Sequence, residues 1–107
     1  MGVSADKAIL DRCLTAIRSV DPTADVILFG SRARGDADPD SDYDLLVLTD
    51  GEVGLQHEDR ILRALFPIEL DTGAVLTFLL HNKQTWSSPI YQAMPIHQNI
   101  DREGIVL

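Results

Sequence analysis

Two periods of apolar residues run along this chain. Over residues 4–20, Ile9, Leu10, Cys13, Leu14, Ile17 and Val20 recur at spacings of three and four, which predicts an amphipathic helix. Ser4 is a suitable N-cap, Asp6 suits the dipole of the first turn, and Asp21-Pro22 ends the helix. Val26-Ile27-Leu28-Phe29 is apolar throughout, so residues 25–29 are expected as a strand covered on both faces. Gly30-Ser31 breaks that strand, and residues 31–34 can open a helical turn. Residues 42–49 predict a second strand, with Asp42, Asp44, Leu46 and Leu48 on one face and Tyr43, Leu45 and Val47 on the other. A turn at Asp50-Gly51 leads to a helix over 55–66, its apolar residues Leu55, Ile61, Leu62, Leu65 and Phe66, ended by Pro67. Residues 68–80 are rich in strand formers and predict a long strand with a bulge or bend at Gly73. Pro89 and Pro95 bracket a short helical segment over 90–94, and a last short helix ends near Gly104. The order predicts an α+β fold, a small mixed sheet with helices packed on one face.

Composition narrows the picture. At 107 residues the chain is expected to form one domain, residues 1–107. Its hydrophobic content of 45% supports a core and excludes wholesale disorder. No window approaches the roughly 18 apolar residues that span a bilayer, and MGVSADKA lacks the build of a secretory signal. The lone Cys13 lies on the apolar helical stripe and offers no disulfide framework. Together these predict a cytoplasmic protein with no membrane contact. The net charge of −8 disfavours direct nucleic-acid binding, which draws on Lys and Arg, and suits divalent cations or a basic protein partner.

Between the first two strands, residues 30–44 read GSRARGDADPDSDYD, a polar stretch set between two core segments. Gly30 and Gly35 have the spacing of a P-loop, but Asp36-Ala37 stands where Lys and Ser or Thr must follow, and a carboxylate there inverts the electrostatics. Asp36, Asp38, Asp40, Asp42 and Asp44 alternate as in a calcium loop, yet no register supplies the Gly at position 6 or the Glu at position 12. A two-carboxylate metal site fits better. Asp42 and Asp44, two residues apart at a strand start, leave the same face and can share one or two hard cations. Two Mg2+ ions roughly 3.5–4 Å apart would stabilise the attacking and leaving oxygens of an in-line displacement. Gly30 lets backbone approach a phosphate, and Ser31 opens a helix whose first N–H groups favour one. Arg32 and Arg34 either neutralise phosphate charge or pair with neighbouring aspartates. Asp36, Asp38 and Asp40 read as a solvated loop. His57, His81 and His97 lack metal-ligand spacing and read as surface or packing residues, while Trp86 and Tyr91 read as anchors of the C-terminal cap.

Gly30-Ser31, ten residues, then Asp42-x-Asp44 resembles the G-S-x10-D-x-D signature of the DNA polymerase β-like nucleotidyltransferase superfamily. G-S-R-A-R-G followed by S-D-Y-D-L, the chain length and the ending N-I-D-R-E-G-I-V-L are similar to its minimal nucleotidyltransferase branch. The resemblance implies Mg2+-dependent transfer of a nucleoside monophosphate from an NTP, with ATP and AMP the expected pair. It implies that Gly30, Ser31 and Arg34 hold the triphosphate and that Asp42 and Asp44 hold the metal. Members of the branch are often antitoxins paired with a small helical HEPN-type ribonuclease, which they are thought to adenylylate, so a partner of that type, or a second copy, is expected to complete the acceptor site.

There is one departure. Laying T-F-L-L-H-N-K-Q-T-W on the family pattern puts Thr77 at the position of a third carboxylate. Glu69 and Asp71 lie earlier on the same expected strand. Asp71 is favoured as the third catalytic carboxylate, because it precedes the Gly73 break and a bulge could re-aim it. The departure also supports a second reading, a degenerate transferase that neutralises its partner by contact alone.

Overall fold

In the computed structural model, which describes the backbone from residue 2 to residue 107 and side chains from residue 6, ten elements follow in order. They are α1 (Gly2–Val20), β1 (Asp25–Phe29), α2 (Ser31–Arg34), β2 (Tyr43–Thr49), α3 (Leu55–Thr72), β3 (Leu76–Asn82), α4 (Lys83–Trp86), α5 (Pro89–Gln92), α6 (Pro95–Glu103) and β4 (Ile105–Val106). The strands form one mixed sheet in the order β3-β2-β1-β4. β1 is antiparallel to both β2 and β4, and β2 is parallel to β3. The parallel pair requires a crossover, and α3 provides it. The architecture is the expected α+β fold.

The alternation in β2 sorts the molecule into two layers. Tyr43, Leu45 and Val47 join Val26, Leu28, Leu76 and Leu80 against Cys13 and Ile17 of α1 and Ile61, Leu65 and Ile68 of α3. The two long helices thus share one face of the sheet. On the other face, Leu46 packs with Trp86 and Ile100 in a smaller cluster bordered by Ile27, Phe29, Leu48, Leu79 and Tyr91. That cluster covers the middle of the second face and leaves the Asp44 end open. Burial pushes the Cys13 thiol up to about 11, in keeping with a core residue rather than a reactive one.

Four expectations are corrected. α1 starts at Gly2, before the expected cap Ser4, whose side chain lies outside the described residues. α3 does not stop at Pro67 but runs through it to Thr72. Proline removes one backbone donor and strains one turn, but Ile68 beyond it is buried in the core and holds the last turn in place. The stop comes at Gly73, which takes the left-handed conformation, φ 73°, and donates its N–H to the Glu69 carbonyl. Residues 68–72 are therefore helix, and the strand over 68–80 shortens to Leu76–Asn82, with no bulge at Gly73. Finally, Ile105 and Val106 form β4 on the free edge of β1, a strand too short to leave a periodic signal.

Candidate active site

The β1–β2 connection gathers the phosphate and metal candidates. Antiparallel pairing sets Phe29 opposite Asp44, so Gly30, the next residue, lies against that side chain. A Cβ built on Gly30 would collide with the Asp44 carboxylate, and the backbone there has φ 77°. Glycine is required twice over, by conformation and by space. Gly30 caps α2 and accepts the N–H groups of Ala33 and Arg34, each at 3.1 Å. The N–H groups of Ser31 and Arg32 fall in the first turn, where a helix has no partner of its own to offer. Gly30, Ser31 and Asp44 are half-buried, and Asp42 is exposed just before β2. Asp44 follows Tyr43, whose ring is buried against the helices, so the Asp44 carboxylate is on the opposite, open side, and Asp42, expected as the first residue of the strand, lies one residue before it.

The two arginines differ. Arg32 is a structural clamp. Its guanidinium donates to the Ser41 carbonyl at 2.9 and 3.1 Å, to the Pro39 carbonyl at 3.0 Å and to Asp6 Oδ1 at 3.1 Å, and it lies 4.1 Å from the Tyr43 ring centroid. With every face engaged, it ties the acidic loop to α1 and β2. Tyr43 Oη donates to the same Asp6 Oδ1 at 2.6 Å, and burial together with this acceptor pushes the phenol up to about 12. Arg34 is exposed and pairs with Asp36 at 3.2 Å and Glu103 at 3.7 Å. Its charged form is favoured by hydrogen bonding to Asp36.

β3 brings Thr77, not a carboxylate, to the site. The parallel register sets Thr77 beside Asp44, and Thr77 Oγ1 donates to Asp44 Oδ1 at 2.8 Å. Asp71 is not carried there, because it sits in the last turn of α3 and pairs with Arg12 at 2.9 Å on the helical side of the sheet. Glu69 is engaged too: its Oε2 accepts the Leu76 N–H at 2.9 Å, fastening the end of α3 to the start of β3. The reason lies in the helix. Once 68–72 is helical, Glu69 and Asp71 no longer share a strand with Thr77. Among the described residues, no three His, Cys, Asp or Glu side chains gather as a metal cluster.

The profile of the nucleotidyltransferase domain family matches residues 10–94. The chain belongs to that family. A relative from Methanocaldococcus jannaschii, named "Putative protein adenylyltransferase MJ0604", is 30% identical over 82 residues, covering 77% of this chain and 75% of its own. The fold is similar to that of a chain in a crystal structure of a toxin–antitoxin with AMP-PNP. The TM-score is 0.63 at 15% identity, over 90% of this chain and 69% of the other.

One polar cluster escaped the sequence reading. Asp21 after α1 accepts from Thr23 Oγ1 at 2.7 Å, from the Thr49 hydroxyl and, at 3.2 Å, faces His57 Nε2. Burial works against the carboxylate charge, but the hydrogen bonds from Thr23 and Thr49 outweigh it and hold Asp21 below its ordinary range. These residues sit at the far end of β2 from Asp44. A cavity of about 730 Å3 lies at that end as well, lined by Asp50, Glu52, His81, Asn82 and Tyr91 among others. Nothing in the linear order of these residues signals that they meet.

Proposed function

We propose that the protein is a Mg2+- and ATP-dependent nucleotidyltransferase that transfers AMP to a partner protein, as the antitoxin of a pair with a HEPN-type toxin. The observation that carries the reading is the contact of Gly30 with Asp44. It sets a glycine-capped helix start, suited to phosphate oxygens, directly against a carboxylate suited to a hard cation. The M. jannaschii name supports a protein acceptor, and the toxin–antitoxin crystal structure with AMP-PNP supports ATP and a toxin partner.

The donor set fits Mg2+, which takes one or two carboxylates and completes its shell with water and substrate phosphates. Asp42 and Asp44 are such a pair, open to solvent. When bound, Mg2+ supplies charge neutralisation at the triphosphate. The chain's own residues bind and orient. Ser31 and the first-turn N–H groups of α2 hold phosphate oxygens, and Gly30 keeps the backbone close enough for them to do so. Arg34 reaches phosphate by leaving Asp36 and Glu103, an exchange of one anionic partner for another. An acceptor hydroxyl oxygen bonds to the α-phosphorus and the bond to the bridging oxygen breaks. Pyrophosphate leaves, and the hydroxyl proton passes to solvent. Neither Glu69 nor Asp71 has a part in this.

The second reading, contact-only neutralisation, is favoured by Thr77 standing where a third carboxylate would. One experiment separates the two. The protein, α-labelled ATP, Mg2+ and the co-encoded neighbouring protein are incubated together. Label on the neighbour that disappears in Asp42→Ala and Asp44→Ala supports transfer. Neutralisation that persists in both variants with no label transferred rejects it.

A further inference from the structure

Asp44 is held from both sides. Thr77 Oγ1 lies 2.8 Å from Asp44 Oδ1 and 3.3 Å from the Tyr43 carbonyl oxygen. The hydroxyl has one hydrogen and two acceptor neighbours, and the shorter, charge-assisted contact takes it. On the other side, Asp44 Oδ2 is packed against the Gly30 backbone, with no room for a Cβ. The carboxylate therefore has its orientation set by a donor at one oxygen and by main chain at the other.

We infer that Thr77 is a positioning residue that fixes the Asp44 carboxylate for a divalent cation, in the place of a third acidic ligand. The inference rests on the metal-dependent transfer proposed above. An aspartate at position 77 would set a second negative charge against Asp44, with Asp42 nearby. In the absence of a cation those charges repel and turn the side chains apart. A hydroxyl does the reverse. It donates to the carboxylate and fixes its geometry before any cation arrives, the role that groups behind a metal ligand commonly play. The free protein is then a two-carboxylate site of modest affinity, and further oxygen ligands come with the triphosphate.

The test is a Mn2+ titration of the full chain without nucleotide, read from the paramagnetic loss of the Gly30 and Thr77 (or residue 77) amide NMR signals. Thr77 is exposed, so its variants are expected to fold, and circular dichroism checks this. Thr77→Val keeps the shape and loses the donor, and weakens Mn2+ binding about tenfold, while Thr77→Ser restores it to within about twofold. Thr77→Asp tightens binding by about tenfold or more and lowers the melting temperature of the cation-free protein, a loss that Mn2+ reverses. Unchanged binding in Thr77→Val, with binding lost in Asp42→Ala, overturns the role of Thr77 and leaves the metal site standing. Mn2+ broadening that is equal in wild type, Asp42→Ala and Asp44→Ala overturns both.

Discussion

At the level of single residues, Gly30 carries the sharpest prediction. Gly30→Ala meets a positive φ and the Asp44 carboxylate together. The variant is expected to lose about 1–3 kcal/mol of stability, as strained positions do. On the proposed function it should also lose about 100-fold or more in label transfer, because Asp44 must move away from the start of α2. Denaturant melts and the labelled-ATP assay measure the two effects separately. Arg32 and Arg34 show where residue type alone misleads. Both are arginines beside the signature, yet Arg32 is consumed by Asp6, Pro39, Ser41 and Tyr43. Arg32→Ala is therefore expected to loosen the acidic loop and lower the melting temperature, whereas Arg34→Ala leaves stability nearly unchanged, because Arg34 is exposed and solvent screens its pairs.

At the level of elements, α3 decides what the site can contain. Its inward stripe is His57, Ile61, Leu65 and Ile68, while Leu55, Leu62, Phe66 and Leu70 are exposed. The sequence reading took Leu55, Ile61, Leu62, Leu65 and Phe66 together as the apolar residues of this helix, and of these only Ile61 and Leu65 are buried. Ile61→Ala is expected to cost about 2–5 kcal/mol and Phe66→Ala much less, about 1 kcal/mol or below, in urea unfolding. Pro67 sits inside the helix without ending it. Pro67→Ala restores a donor to the Arg63 carbonyl and is expected to stabilise the protein by about 1 kcal/mol or more, within the cost of an interior proline.

Across the whole molecule, the ends of β2 are different chemical places. One end holds Asp42, Asp44 and Thr77, and the other holds Thr49 against Asp21 and His57. The Asp21 carboxylate is held below its ordinary value of 3.8. A lowered folded-state value means stability that is present above pH 3.8 and is lost as pH falls through the folded value. Acid unfolding of the wild type is thus expected to steepen below about pH 4, and Asp21→Asn to flatten that limb, in melts recorded from pH 2 to pH 6. At the alkaline end the sign reverses. Tyr43 is raised to about 12, so its contribution is whole below the ordinary value of 10.0 and fades as pH climbs toward the folded value. The chain also contains, among its described residues, no helix long and apolar enough to cross a membrane.

The sequence by itself determined β1, β2 and the motif that joins them, because each rests on local order. Apolar runs fix the strands, alternation fixes which face Asp42 and Asp44 share with Leu46, and a glycine at a strand end fixes the turn. It also aligned Thr77 with the family's acidic position, and the parallel register sets Thr77 beside Asp44. The tertiary structure decided what local order leaves open. Whether Pro67 ends a helix depends on whether Ile68 finds a core to enter, and it does. That single outcome turns residues 68–72 from strand to helix and sends Asp71 to Arg12 rather than to Asp44. It leaves a threonine hydroxyl as the neighbour of the Asp44 carboxylate. Pairing between strands distant in sequence, and burial against a helix elsewhere in the chain, are non-local energies, so they became visible only once the chain was folded.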